Sequence, residues 1–545
     1  MRQLLTMKIL TAREMGAADR RSVEAGVSVQ TLMEHAGGAV ARFCLRRFKG
    51  DGPIVVLVGK GNNGGDGMVA ALRLAEAGRR VRVALLGSDG DLKGEPSLAF
   101  ATLKRESSGV DIVEIENEDG LRAALEDSAL VLDAVVGTGF KPPLRGLAAV
   151  AQRLLAGREV PVVAVDLPSG WDADSMAEKA DGAFRTDAVV TFTAPKLAHV
   201  FGHLTAATFG PVVVAEIGTP EEAIESANGL TWAGSSKAIA EAPRAINGNK
   251  GRLGHVLLVG GSYGKAGAPS MASVAAMRAG AGLVTAAVPR EILPIVAAVA
   301  PELMLTPLAT EGSGGLAMET LEEDSLKTLL KGISVVGIGP GLGQEGSTPD
   351  WVRRFMESVT LPMVIDADAL NALAGRTSML KSLKDARGMA RTIVLTPHPG
   401  EMARLVEMSV KEVEADRVGL ARRFATQHGV TLVLKGWRTL VAHPDGRIAV
   451  NTTGNPSMAK GGSGDILTGI VSAMLAQYPE NVAEAVEAAV FLHGLAGDFA
   501  CLAQDEHTVL AMDTVGHLWE AFRARVKDTD GLTWITGTAA NEEGR

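Results

Sequence analysis

At 545 residues the chain exceeds one ordinary domain, so two or more are expected. Its 46% hydrophobic and 21% charged residues place it among globular proteins with ample core material and exclude a disordered or fibrous chain. A formal net charge of -9 argues against a general nucleic-acid binder, and two distant cysteines, Cys44 and Cys501, offer neither a disulfide framework nor metal-ligand spacing.

The opening residues hold no apolar run long enough for a secretory signal, and no later stretch is expected to span a bilayer. The expectation is a cytoplasmic homo-oligomer acting on small molecules, with no nucleic-acid or membrane partner. Residues 12–48 show helical spacing, with Leu32, Met33, Ala36, Val40 and Phe43 on one face. Residues 53–58 read as a buried parallel strand. It runs into Gly59-Lys60-Gly61-Asn62-Asn63-Gly64-Gly65-Asp66-Gly67, followed by a helix over 68–77 and a strand over 81–86. That is a βαβ unit with its ligand loop at the carboxyl end of the first strand. Gly59, Gly61 and Gly64 fit the dinucleotide fingerprint GxGxxG. The fingerprint also needs an acidic residue closing the second strand, and Val83-Ala84-Leu85-Leu86-Gly87-Ser88 supplies none, which weakens a dehydrogenase reading.

Two more strands end in aspartates. Residues 130–133 end in Asp133, before Ala134-Val135-Val136-Gly137-Thr138-Gly139-Phe140-Lys141-Pro142-Pro143; residues 162–166 end in Asp166, before Leu167-Pro168-Ser169-Gly170-Trp171. Residues just past the strand ends of an open parallel sheet share one crevice, so Asn63, Asp133, Asp166 and Ser169 are expected to meet. Their oxygens suit a hard cation. The alternative is that each aspartate caps the turn after it.

Together these segments resemble the NAD(P)H-hydrate epimerase family over residues 10–218, with 61–67 the most specific stretch. The resemblance implies a potassium ion (K+) held by Asn63, Asp133 and Ser169. It also implies contacts with a hydrated nicotinamide nucleotide from Asn62, Asn63, Gly64, Gly65 and Asp66, from Gly137, Thr138, Gly139, Phe140, Lys141, Pro142 and Pro143, and from Asp166. Where many relatives carry asparagine this chain has His35, which is expected to pack beside the site. Epimerisation at C6 breaks the C–O bond, driven by the ring nitrogen and helped by an acid. Asp166 is the first candidate, on the expectation that burial at a strand tip raises its pKa, and Lys141 the second.

Residues 221–244 read as a connection. The pattern restarts with a strand over 255–259, a glycine-rich loop to Pro269, a helix over 270–279 and a strand over 283–288. Strands over 333–338, 363–365, 393–395 and 431–434 then lead into Gly339-Pro340-Gly341-Leu342-Gly343, Asp366-Ala367-Asp368, Thr396-Pro397-His398-Pro399-Gly400-Glu401 and Lys435-Gly436-Trp437-Arg438-Thr439. Gly461-Gly462-Ser463-Gly464-Asp465 precedes a buried helix from Ile466. Glycine amides and a helix dipole there suit a phosphate. A carboxylate beside a phosphate makes sense as a base that takes a proton from a hydroxyl; the alternative is a helix-terminal cap. The halves share no alignable repeat, so two different α/β domains are expected.

The second half resembles the ADP-dependent NAD(P)H-hydrate dehydratase family, a branch of the ribokinase-like fold, over residues 231–524. The resemblance implies an adenine nucleotide at Lys435, Gly436, Trp437, Arg438, Thr439 and Gly464, and hydrated substrate at Ala268, Gly341, His398 and Asp465. ADP is the implied phosphoryl donor, and Asp366 and Asp368 mark a candidate water-mediated Mg2+ site. The expected protein is a Rossmann-like doubly wound epimerase domain over 1–225, a ribokinase-like dehydratase domain over 231–527 and a flexible tail over 528–545. The first domain would interconvert the R and S forms of hydrated NADH and NADPH. The second would phosphorylate the C6 hydroxyl of the S form, with Asp465 as base, and eliminate phosphate. The rival readings are a ribokinase-like small-molecule kinase and a nucleotide-binding protein without turnover. Each half has a complete strand series, so residues 231–545 alone are expected to repair one epimer.

Overall fold

The computed structural model describes residues 6–106, 109–312 and 314–538. Its internal contacts define two compact units, one of Met7–Leu230 with the segment that starts at Arg525, the other of Thr231–Ala524.

In the first unit, β1 (Ile54–Val58), β2 (Val81–Leu86), β3 (Val110–Ile115), β4 (Leu130–Ala134), β5 (Val162–Val165), β6 (Ala188–Phe192) and β7 (Val212–Ala215) stand in the order β3-β2-β1-β4-β5-β6-β7. All these pairings are parallel. Every residue of β1 is buried, because the sheet is covered on both faces; the strand therefore reads as a continuous apolar run. The strand order reverses between β1 and β4, so the loops leaving those strands part and open a crevice at their carboxyl ends.

Two local expectations change. The helical stretch over 12–48 is two helices, Ala12–Glu24 and Val29–Arg47, separated at Gly26 (φ 96°) and restarted by Ser28, whose hydroxyl accepts from the Thr31 amide. The helix expected from residue 68 begins at Asn62. It starts against its own strand: a Cβ on Gly64 would lie 2.1 Å from the Gly59 carbonyl oxygen, and one on Gly65 would lie 2.5 Å from the Met33 side chain. Asn63 and Asp66 therefore ride on the opening turns of a helix.

The second unit is built on β8 (Leu230–Trp232), β9 (His255–Val259), β10 (Leu283–Pro289), β11 (Met304–Leu308), β12 (Val335–Ile338), β13 (Met363–Ile365), β14 (Ile393–Leu395), β15 (Thr431–Leu434), β16 (Leu440–Ala442) and β17 (Ile448–Val450). Their order is β11-β10-β9-β12-β13-β14-β15-β16-β17-β8, parallel from β11 to β15 and antiparallel at β15-β16-β17. The connection expected over 221–244 thus contains an edge strand. Contrary to the sequence expectation, among the described residues one helix, Val482–Ala503, is long and apolar enough to cross a membrane by length and composition, and 89% of its apolar window is buried inside the fold. The order reverses between β9 and β12, and loops leaving these and the neighbouring parallel strands share one end of the sheet.

The last strand, β18 (Leu532–Thr536), returns to the first unit and pairs antiparallel with β7. The expected tail over 528–545 and the boundary at 527 are corrected accordingly; residues 539–545 lie outside the described residues. The cause is the alternation in Leu532-Thr533-Trp534, which puts Leu532 and Trp534 in the core against an otherwise open sheet edge. The Trp534 ring lies 6.3 Å from that of Phe43, and its Nε1 donates to Asp528 Oδ2 at 2.9 Å.

Candidate active sites

A cavity of about 1280 Å³ opens at the β1/β4 crevice of the first unit. Asn62, Asn63, Asp66, Gly137, Thr138, Gly139, Phe140 and Asp166 border it. Gly64 and Gly65 lie buried behind it in the helix, while Lys141, Pro142 and Pro143 do not border it. The Lys141 ammonium is instead held between Asp172 Oδ1 at 2.7 Å and Asp174 Oδ2 at 3.1 Å, which raises its pKa. His35 packs outside the cavity, with Nδ1 2.7 Å from the Ile217 carbonyl oxygen.

The expectation for Asp166 is reversed. Burial works to raise its pKa, but the Lys196 charge and the hydrogen bonds from Lys196 and Thr191 outweigh it and hold the carboxyl below its ordinary value, while His199, pushed down to about 4 by its own burial, faces it as a neutral ring. Lys196 Nζ lies 2.8 Å from Asp166 Oδ1, and the lysine side chain is 1% exposed. Asp166 is a buried anion, not an acid with a proton to give. Asp66 is the opposite: burial and then the negative charges of Asp166 and Asp19 push it well above its ordinary value, against Lys196. Sequence reasoning missed Lys196, Asp19, Thr191 and His199. The available signal was Thr193-Ala194-Pro195-Lys196, another polar turn at a strand end.

Asp133 and Ser169 are joined by two hydrogen bonds beside the crevice, and Asn63 borders the cavity. Asp133 Oδ2 accepts from the Ser169 amide at 2.7 Å and Oδ1 accepts from the Ser169 hydroxyl at 2.6 Å. Asp133 is fully buried, and burial pushes its carboxyl up to about 6 although these hydrogen bonds oppose the rise. Both polar atoms of the buried Asn63 amide lack a hydrogen-bond partner among the described residues. An orphaned amide and a buried carboxylate that forms no ion pair among the described residues suit a bound monovalent cation.

In the second unit, the helix Ser463–Gln477 begins after Gly462, whose φ is 98°. The helix therefore starts before Ile466, and Asp465 stands half-buried in its first turn. No backbone amide is capped by Asp465, which accepts no hydrogen bond among the described residues. Burial first, then the Asp366 charge, push it up to about 6, against Lys435. Asp366, at 1% exposure, holds Lys435 Nζ at 3.0 Å through Oδ1 and accepts from Thr468 Oγ1 at 2.8 Å through Oδ2. A Cβ on Gly464 would lie 3.2 Å from Lys435 Nζ, so this lysine and the helix terminus converge on one point.

Ala268 and Gly341 also meet: a Cβ on Gly341, whose φ is 67°, would lie 3.0 Å from the Ala268 Cβ. His398 caps the helix Pro399–Val406, its Nδ1 accepting from the Gly400 amide at 3.0 Å. Burial lowers its pKa, so the neutral ring keeps an Nε2–H to donate. The loop at Gly436, Trp437, Arg438 and Thr439 is tied down by Arg417, which donates to the carbonyls of Leu434, Lys435 and Trp437, a clamp that sequence reasoning missed. Arg438 stacks its guanidinium 4.2 Å from the Trp437 ring centre. Asp366 has both oxygens engaged and Asp368 accepts from the Gly343 amide at 2.8 Å. Among the described residues no group of three or more His, Cys, Asp or Glu side chains is placed to hold a metal.

Each crevice sets an ionisable carboxyl beside a fixed ammonium at the end of a parallel sheet, which defines a two-site α/β enzyme for small molecules. Residues 256–519 match the family model described as NAD(P)H-hydrate dehydratase, and residues 29–198 match that described as YjeF-related protein N-terminus. The bifunctional NAD(P)H-hydrate repair enzyme Nnr of Moorella thermoacetica is 39% identical over 94% of this chain and 96% of its own length. Those of Coxiella burnetii and Escherichia coli are 36% and 34% identical, over 93% and 92% of this chain and 97% and 91% of theirs. The solved ADP/ATP-dependent NAD(P)H-hydrate dehydratase of Bacillus subtilis is 30% identical, with a TM-score of 0.44 over 53% of this chain and 96% of its own. The chain belongs to the family of bifunctional NAD(P)H-hydrate repair enzymes, with an epimerase domain and a dehydratase domain.

Proposed function

We propose that the first unit interconverts the R and S hydrates of NADH and NADPH in its strand-end cavity, and that the second dehydrates the S form with ADP as phosphoryl donor. The observation that carries the second step is the meeting of Asp465, Lys435 and the Gly464 backbone at one helix N-terminus. Amides of that terminus and the Lys435 ammonium receive the phosphoryl group. Asp465 removes the C6 hydroxyl proton as the terminal phosphoryl of ADP moves to its oxygen, leaving AMP. The ring nitrogen then expels phosphate, breaking the C6–O bond and forming the N1=C6 cation, and loss of the C5 proton to the departing phosphate forms the C5=C6 bond of the reduced nicotinamide. Ala268, Gly341 and His398 hold the hydrated ring, while the loop from Lys435 to Thr439 holds the adenine nucleotide, with Trp437 as its aromatic surface. A Mg2+ ion would be held by the nucleotide phosphates and waters, as this hard cation commonly is, and would supply charge neutralisation there.

The test is incubation of mixed hydrated NADH with the chain and ADP, following the return of reduced-nicotinamide absorbance. Complete recovery is expected with ADP and none without it. A stable phosphorylated product would establish the small-molecule kinase instead.

Asn63, Asp133 and Ser169 fit a potassium ion, which would neutralise the buried Asp133 and organise the loops around the substrate. Potassium chloride is expected to raise the melting temperature of the first unit relative to sodium chloride. Asn63→Ala, which deletes the unpartnered amide, is expected to abolish that difference. A melting curve indifferent to the cation in the unaltered chain would remove potassium from the account.

A further inference from the structure

The epimerase cavity holds a carboxylate and an ammonium pinned from several sides. Lys196 Nζ lies 2.8 Å from Asp166 Oδ1, 2.8 Å from Thr191 Oγ1 and 3.3 Å from the Phe192 carbonyl oxygen. An ammonium has three protons, so none is left for a substrate. Asp166 Oδ1 also accepts from the Thr191 hydroxyl at 2.8 Å. Its Oδ2 accepts no hydrogen bond among the described residues and lies 3.4 Å from where a Cβ on Gly137 would stand, at the cavity wall. The Asp166 backbone is held at φ 66°, its amide donating to Val190 at 2.8 Å and its carbonyl 2.6 Å from His199 Nε2. A left-handed aspartate fixed this way is strain maintained at a functional site.

Asp66 borders the same cavity, and its carboxyl has no hydrogen-bond partner among the described residues. Three charged groups act on it: Asp19 from the helix Ala12–Glu24, Asp166 past β5 and Lys196 past β6. The helix Val29–Arg47, packed on the same turn, brings Gly37 against the Asp66 backbone. Burial and the Asp166 and Asp19 charges favour a proton on Asp66, whereas Lys196 favours a bare carboxylate on Asp166.

We propose that Asp66 carries the proton of epimerisation, that Asp166 faces the positive charge developing on the ring, and that Lys196 is the positioning residue that separates the two roles. This rests on the assignment of the cavity to the hydrated nucleotide. In the forward step the Asp66 O–H proton passes to the C6 hydroxyl, the C6–O bond breaks and water leaves. The ring nitrogen lone pair forms the N1=C6 bond, giving a cation opposite the Asp166 carboxylate. Water then adds to C6 from the other face and returns its proton to Asp66. Nothing is oxidised or reduced, and no other reactant is consumed. Two carboxyls in one site with opposite protonation, set by their surroundings, is a recurring solution for chemistry through a ring cation.

The test uses the full chain and purified R-hydrated NADPH without ADP, following conversion to the S form by chromatography. Asp66→Asn keeps the size of the side chain and is expected to slow conversion by about 10²–10⁴-fold. In the unaltered enzyme the rate is expected to fall as pH rises through the raised Asp66 pKa, because the proton is lost. Asp19→Asn removes a charge that favours that proton and is expected to move the fall to lower pH, a response that a purely structural Asp19 would not give. Lys196→Gln is expected to lower the plateau rate; if it fails to fold, the two aspartate variants still decide. Wild-type conversion by Asp66→Asn, or an alkaline limb unmoved by Asp19→Asn, overturns the proposal alone. Failure of the unaltered enzyme to interconvert the hydrates overturns the cavity assignment as well.

Discussion

Asp465→Asn is expected to slow ADP-dependent dehydration of the S hydrate by about 10²–10⁴-fold, the range a positioned general base contributes. Asparagine keeps the size and the glycine turn but cannot take a proton. A cap would behave differently, since asparagine caps a helix about as well as aspartate. Asp465 caps no amide, so the variant loses no helix hydrogen bond and its melting temperature is expected to hold. ADP affinity is expected to hold or improve, because a negative charge beside the phosphates has gone. The base form must be present for turnover, and burial with the Asp366 charge puts its pKa at about 6. The unaltered enzyme is therefore expected to lose dehydration as pH falls through that value, about tenfold per unit, while the residual rate of the variant lacks this limb. Single-turnover kinetics with an ADP titration is the measurement. Near-normal turnover by Asp465→Asn would falsify the base assignment.

Trp534→Ala is expected to destabilise the first unit by about 3–5 kcal/mol, the usual result of emptying a large aromatic site in a core. Trp534 is 4% exposed, packs on Phe43 and sits in the strand that covers β7. Ending the chain after Ala524 removes that strand and bares the β7 edge, so aggregation through the first unit is expected as well. The exposed ion pair of Lys527 with Glu216 contributes little by comparison. The second unit does not include this segment, and ADP-dependent repair of the S form is expected to outlast epimerase activity on heating. The measurement is a melting curve read by both activities; loss of both together would refute it. The fragment to test for separate dehydration is consequently 231–524, not 231–545.

What the sequence determined by itself is the set of strand-to-loop junctions. A buried parallel strand is a short apolar run, and the glycines and polar side chains at its carboxyl end are adjacent to it in sequence, so β1, β4, β5, β13, β14 and β15 and their loops were legible locally. The specific stretches at 61–67 and 461–465 belong to the same class, and their only error was the helix start: whether glycines join a helix depends on what packs against them. Tertiary structure alone decided the rest. Pairing of β18 with β7 links residues more than three hundred positions apart, and an edge strand's partner leaves no local mark. The protonation of Asp166 could not be read from its strand-tip position, because burial and a buried ammonium push in opposite directions and Lys196 reaches it from another strand. The upward shift of Asp66 comes from the same kind of balance, burial first and then the charges of Asp166 and Asp19 from two other elements, against Lys196. A sequence names the groups that titrate; the sign of each shift is a sum over neighbours in space, and only the fold supplies those neighbours.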